Sequence, residues 1–202
     1  MWSVDAWVLV RPAAAFQWLA AQPLSTGLRV AVRRPLLLTF VMGCIVSLAA
    51  AGTLTARLVG PPMLYWAFIP IAEILALAAI VRRRGRLPFA ALIDGFFAGH
   101  AAWLLLLIAI GGLLAFSPPA LWWTILTRVS LVGLALVVVW SAYVDFCFFR
   151  HVVGAGRGAA LRDVVVHRAI TWLVVFSIFA TQELTPWGLY REVAEAIAEI
   201  LR

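Results

Sequence analysis

Five long apolar stretches, at residues 35–56, 62–81, 89–116, 121–149 and 169–185, constrain this 202-residue chain more than any other feature. A helix needs ~17–25 apolar residues to cross ~30 Å of hydrocarbon, and each stretch meets that length. Inside lipid every backbone N–H and C=O must be satisfied within the protein, so such stretches are read as helices. No piece between or beside them exceeds 34 residues, whereas a soluble domain with its own core needs ~50 or more. Composition agrees, at 65% hydrophobic and only 12% charged residues, about half the usual charged share of ~25%. The expected fold class is therefore all-α: a polytopic membrane bundle of about five transmembrane helices. Residues 35–185 form the bundle, residues 1–34 an amphipathic amino-terminal segment and residues 186–202 an amphipathic carboxyl-terminal helix.

Arginine sets the orientation. The chain has no lysine and a net charge of +7. Residues 1–34, 82–88 and 150–168 hold four arginines each, while 57–61, 117–120 and 186–202 hold one, none and two. The positive-inside rule then puts the amino terminus in the cytoplasm and the carboxyl terminus outside. These arginines flank apolar spans rather than interleaving with exposed aromatics, so anionic lipid headgroups, not nucleic acid, are the expected counter-charge. With Asp5 and no basic region, the first residues do not resemble a cleavable signal peptide, and Met1 is expected to be retained. Residues 12–21 read as a short helix on the membrane surface, with Pro12 at its first position and Phe16 and Leu19 as its apolar pair. GPP at 60–62 and SPP at 117–119 are expected to break helices on the outer face.

Ionisable residues inside spans are the candidates for function, because a charge at the bilayer centre costs ~2.5–3.5 kcal/mol by insertion scales. At ~1.5 Å per residue, Glu73 and His100 stand roughly 12 and 18 Å from the inner boundary on consecutive antiparallel spans. A Glu73–His100 hydrogen bond is geometrically allowed, with Arg128 as a third member nearer the outside. Such a trio serves either as an interhelical contact that fixes register or as an ion or proton path. Asp94 and Asp145 form a second layer near the inner boundary, within reach of Arg150, Arg168 or Arg86. A haem or pigment at His100 is a further reading. The only other histidines, His151 and His167, are expected at the inner ends of the fourth and fifth spans, as a hydrated pair on a basic loop or a two-histidine metal site.

Packing signals are plainer. Gly95 and Gly99 in GFFAG have GxxxG spacing, and Gly43 and Ser47 make a similar seam in the first span, which lets helices approach closely. Cys44 and Cys147 are expected as free thiols. Trp66, Trp122, Trp123 and Trp187 fit an interfacial belt, while Trp103 and Trp140 fall deeper and need partners. No nucleophile with a base, HExxH pair, paired-cysteine site or phosphate-cradling loop is present, and GAGRG at 154–158 reads as a flexible turn, so neither an enzyme nor a metal centre is expected.

The segment LVRPAAAFQWLAAQP at 9–23, the five spans and the inner loop FFRHVVGAGRGAALRDVVVHRAI at 148–170 together resemble bacterial members of the Yip-type five-span membrane protein family. The resemblance implies a multi-pass protein of the bacterial inner membrane that organises membranes or serves as an accessory subunit of a larger complex, with a membrane-protein partner or a second copy and no catalysis of its own. The alternative is a small transporter or redox-complex subunit that uses Glu73, His100 and Arg128.

Overall fold

The computed structural model describes residues 4–22, 27–82, 87–124, 128 and 130–184. Among the described residues the only regular structure is helical: α1 (Val4–Val10), α2 (Pro12–Ala20), α3 (Leu28–Ala51), α4 (Ala56–Tyr65), α5 (Phe68–Val81), α6 (Phe89–Ala98), α7 (Ala101–Phe116), α8 (Pro119–Thr124), α9 (Ser130–His151) and α10 (Arg157–Leu184). Four helical stretches are long and apolar enough to cross a membrane, and a fifth results if α6 and α7, bent by 48° at their junction, count as one broken span. Large apolar side chains such as Phe40, Leu75, Ile108, Val139, Leu173 and Phe176 are exposed along five different helices. A water-soluble protein of this size would hide them; on a bundle solvated by hydrocarbon they are the outer surface. The protein is a multi-pass membrane protein, all-helical in the regular structure of its described residues.

Several boundaries move from where hydropathy put them. The first span begins at Leu28 rather than residue 35, because α3 continues through Arg29, Arg33 and Arg34 and tolerates Pro35 inside it. The fifth begins at Arg157 rather than 169, so the short apolar segment is the end of a 28-residue helix. Hydropathy stops at a charge; helix geometry does not. In the fourth stretch the described helices are α8 over Pro119–Thr124 and α9 over Ser130–His151. The GPP motif does not break the chain, since Gly60, Pro61 and Pro62 all lie inside α4. The turn falls eight residues before Gly60. Gly52 takes the left-handed conformation (φ 66°) that closes α3, with its N–H on the Leu48 carbonyl at 2.8 Å, a position that suits glycine because it has no Cβ to clash. Ser47 Oγ donates to the Thr53 carbonyl at 2.8 Å and accepts from the Thr55 N–H at 3.3 Å, and the Thr55 side chain caps α4.

The packing order places α3 against α4, α6 and α7, α10 against α5 and α9, and α9 also against α7 and α2. The core is aromatic: Phe16, Phe96, Phe97, Phe148 and Phe149 are almost fully buried and meet edge to face at centroid separations of 5.4 to 5.7 Å, the arrangement the ring quadrupole favours. Phe16 belongs to α2, so the apolar side of the amino-terminal helix packs on α9 of the protein rather than on lipid. The turn between α9 and α10 is tied by the Arg150 guanidinium, which donates to the Ala155 carbonyl at 2.8 Å, and Gly154 has φ 75°. Arg157 and Gly158 of GAGRG are already helical. The 186–202 helix expected from sequence lies outside the described residues, as do Trp187, Arg86 and the side chains of Trp122 and Trp123.

Candidate intramembrane polar site

The site grows from the break between α6 and α7. Gly99 N–H bonds to the Phe96 carbonyl at 2.9 Å and His100 N–H to the Phe97 carbonyl at 3.1 Å, both three residues back. This tighter turn ends α6, and the Leu104 N–H on the His100 carbonyl at 2.9 Å starts the next helix. Bending here turns the His100 ring inward, where it stacks on Phe97 with centroids 4.7 Å apart. A Cβ on Gly99 would sit 3.0 Å from both the Phe96 carbonyl oxygen and Val144 Cγ1, so a larger residue would push α9 away from the bend.

His100 Nε2 meets Glu73 Oε1 of α5 at 3.0 Å. Both side chains are largely buried, 9% and 14% exposed. From α10, His167 Nε2–H donates to the Glu73 backbone carbonyl at 3.1 Å; a carbonyl only accepts, which fixes the proton on that nitrogen. From the next residue, the Arg168 guanidinium makes two hydrogen bonds to Asp145 Oδ2 of α9, at 3.0 and 2.8 Å, and bonds to Ser141 Oγ at 2.7 Å and the Val138 carbonyl at 3.2 Å. Buried ions are retained only when paired and hydrogen-bonded in this way.

Glu73, His100, Asp145, His167 and Arg168 line one cavity of about 210 Å³, together with Ser141 and Thr171. Its apolar wall includes Trp66, Trp103 and Trp172. Three buried side-chain atoms have no hydrogen-bond partner among the described residues, Glu73 Oε2, His100 Nδ1 and Thr171 Oγ1, and all three belong to residues of this cavity. Buried polar atoms are seldom left unpaired. Here the orphans concentrate at one place, with room for about seven waters at ~30 Å³ each.

The other candidates fall elsewhere. Arg128 is exposed and does not line the cavity; its place as the basic member is taken by Arg168. Asp94 and Asp145 take different partners, Asp145 the Arg168 already described. Asp94 accepts from Arg33 Nε and Nη2 at 3.1 and 3.3 Å, and Arg34 contacts both its carboxylate and, at 2.9 Å, its carbonyl. Arg34 also donates to Asp5 at 2.8 Å, so among the described residues this cluster joins α1, α3 and α6. Gly95 faces Leu19 and Phe148, and Gly43 faces the backbone of α4 at Val59. Both are packing positions, and Ser47 is a turn staple. His151 and His167 are not a pair: His151 lies 3.5 Å from Gln17, while His167 is inside the bundle. Cys44 and Cys147 are free. Trp140 finds its partner in Tyr143 at 5.5 Å. For a haem or pigment, the His100 Nε2 that would ligate it is engaged by Glu73.

His167 and Arg168 were missed as cavity residues because the fifth span was started at 169, and Thr171, inside that span, was passed over because it carries no charge. Asp163, His167 and Thr171, all buried, recur every four residues, the spacing of one helix face; that pattern was the available signal. Comparison of the chain with protein-family models, with curated proteins and with solved structures finds no match.

Proposed function

We propose that this protein is a small transporter whose mid-bundle cavity binds and exchanges a proton or another ion, with Glu73 and His100 as the exchanging pair. One observation carries the reading: a carboxylate with one free oxygen, hydrogen-bonded to an imidazole at a broken span, opens on a cavity that also holds an ion pair. Broken spans expose backbone and polar side chains at membrane depth where a protein handles a polar solute. A register-fixing contact alone needs neither the unpaired Glu73 oxygen nor the space beside it. Arg168 and Asp145 neutralise each other, which leaves Glu73 and His100 as the groups whose charge is free to change. The positive-inside count supports an inner-membrane orientation with the amino terminus in the cytoplasm.

The test is proton flux into liposomes that hold the purified protein and a trapped pH dye, driven in one set by an imposed potassium diffusion potential and in another by an outward gradient of a monovalent cation. Wild type is expected to acidify the lumen, and Glu73→Gln, which keeps the hydrogen bond but holds no exchangeable acid proton, to match empty liposomes. Flux of Glu73→Gln equal to wild type refutes the role of Glu73. An accessory subunit of the Yip type remains the second reading, supported by the span layout and the 9–23 segment; co-purification in a stoichiometric larger complex, with no flux from the isolated chain, favours it.

A further inference from the structure

We propose that the cavity's substrate is a small monovalent organic cation, an alkylated ammonium, which competes with a proton for Glu73. This rests on the transporter reading and adds the substrate class. The first argument is charge. The ionisable groups that face the cavity are Glu73 from α5, His100 from the α6–α7 bend, Asp145 from α9, and His167 and Arg168 from α10; the cavity residues of α3 (Leu38, Thr39 and Met42) carry no charge. With both imidazoles neutral, two carboxylates stand against one guanidinium, an excess of one negative charge. Either one proton or one monovalent cation removes it. A divalent ion overshoots, and no cluster of three or more metal-ligating side chains is found among the described residues.

The second argument is the wall. Phe96 of α6, Trp103 of α7, Trp172 of α10 and Trp66 of the α4–α5 link contribute to it, and an aromatic face attracts a cation while tolerating its alkyl groups. An inorganic cation with a tight hydration shell gains little from such a wall. An alkylated ammonium gains from both ring faces and hydrophobic burial, and it needs only one anionic oxygen. Glu73 Oε2 is that oxygen, buried and without a partner. The third argument is size: about 210 Å³ accommodates a cation of roughly seven to ten heavy atoms, given ~30 Å³ for a water in the liquid. In the exchange the cation enters as the proton leaves Glu73 or His100 for solvent, so charge in the cavity is conserved and no bond other than the N–H or O–H is broken.

The test is tetraethylammonium binding to the full-length protein in a phospholipid-free detergent, by calorimetry, with proton release measured in parallel from the buffer dependence of the heat. Wild type is expected to bind one equivalent, with affinity falling as the pH is lowered and protons released on binding. Glu73→Gln, monodisperse by size exclusion, is expected to bind at least tenfold more weakly. Trp103→Leu, which changes no charge and keeps the test valid should Glu73→Gln not fold, is expected to lose roughly fivefold. Trp140→Leu, outside the cavity, is expected to bind as wild type. Absence of wild-type binding while liposome proton flux persists overturns the substrate class and leaves the transporter reading standing. Binding without flux in any liposome supports the cation site and removes the transport reading. Binding of a short-chain phosphocholine lipid but not of tetraethylammonium overturns the proposal in favour of a lipid headgroup, and equal affinity for the uncharged isostere 3,3-diethylpentane overturns the charge argument.

Discussion

Gly43→Ala tests a close backbone contact between two helices of the bundle. A Cβ at this position would lie 2.5 Å from the Val59 carbonyl oxygen, 3.2 Å from Val59 Cγ1 and 3.3 Å from Met63 Cβ. Ordinary contact begins near 3.4 Å, so α3 and α4 must separate by about 0.9 Å at this point. The obstacle is backbone of a neighbouring helix, and no side-chain rotation removes it. The separation also pulls on the turn that Ser47 holds through Thr53 and Thr55. Overpacking of this kind costs ~1–3 kcal/mol; alanine returns up to ~1 kcal/mol through its better helix propensity. The expected net loss is about 1–2 kcal/mol, read from reversible unfolding in mixed detergent micelles. Gly112→Ala is the control, because a Cβ there meets nothing within 4 Å and alanine should stabilise by a few tenths to ~1 kcal/mol. Equal stability of Gly43→Ala and wild type, with Gly112→Ala behaving as expected, refutes the close approach of α3 and α4.

Arg34→Met and Asp94→Leu are each expected to destabilise, and the double variant to lose about 1 kcal/mol less than the sum, because each single change leaves the other charge one partner short, Asp94 with Arg33 alone and Arg34 with Asp5 alone; additivity in a double-mutant cycle would deny the pairing. For orientation, cysteines placed at positions 85 and 156 are expected to resist a membrane-impermeant reagent in intact cells and one at 202 to react. The opposite pattern inverts the topology.

The membrane location and helical class were legible because hydrophobic length is a property of local sequence, and the Glu73–His100 contact was legible because both residues are polar outliers whose depths follow from counting. What failed was the treatment of charged residues at span edges. Arg33 and Arg34 read as standing just before the first span, yet they sit on the first two turns of α3 and meet Asp94 of α6 and, through Arg34, Asp5 of α1, a tertiary pairing that sequence periodicity does not encode. His167 and Arg168 read as loop residues for the same reason. Arg128 was assigned to the polar trio on depth alone, and depth does not say which way a helix faces; Arg168 occupies that role from a helix whose start was placed twelve residues too late. The bend at Gly99 and His100 has a local cause in the two tightened hydrogen bonds, but GFFAG reads equally well as an unbroken packing seam.

The most direct test of the account is carboxyl modification by a hydrophobic carbodiimide, which enters from the membrane and adds to a protonated carboxyl group as a stable N-acylurea. Peptide mapping by mass spectrometry then identifies the residue. The account predicts that Glu73 is labelled, faster as the pH falls and more slowly in the presence of tetraethylammonium, while Asp94, held by two arginines, stays unmodified. Labelling of Asp94 with Glu73 untouched at every pH would contradict it, since a Glu73 that never takes a proton or meets the cavity is a structural contact and nothing more.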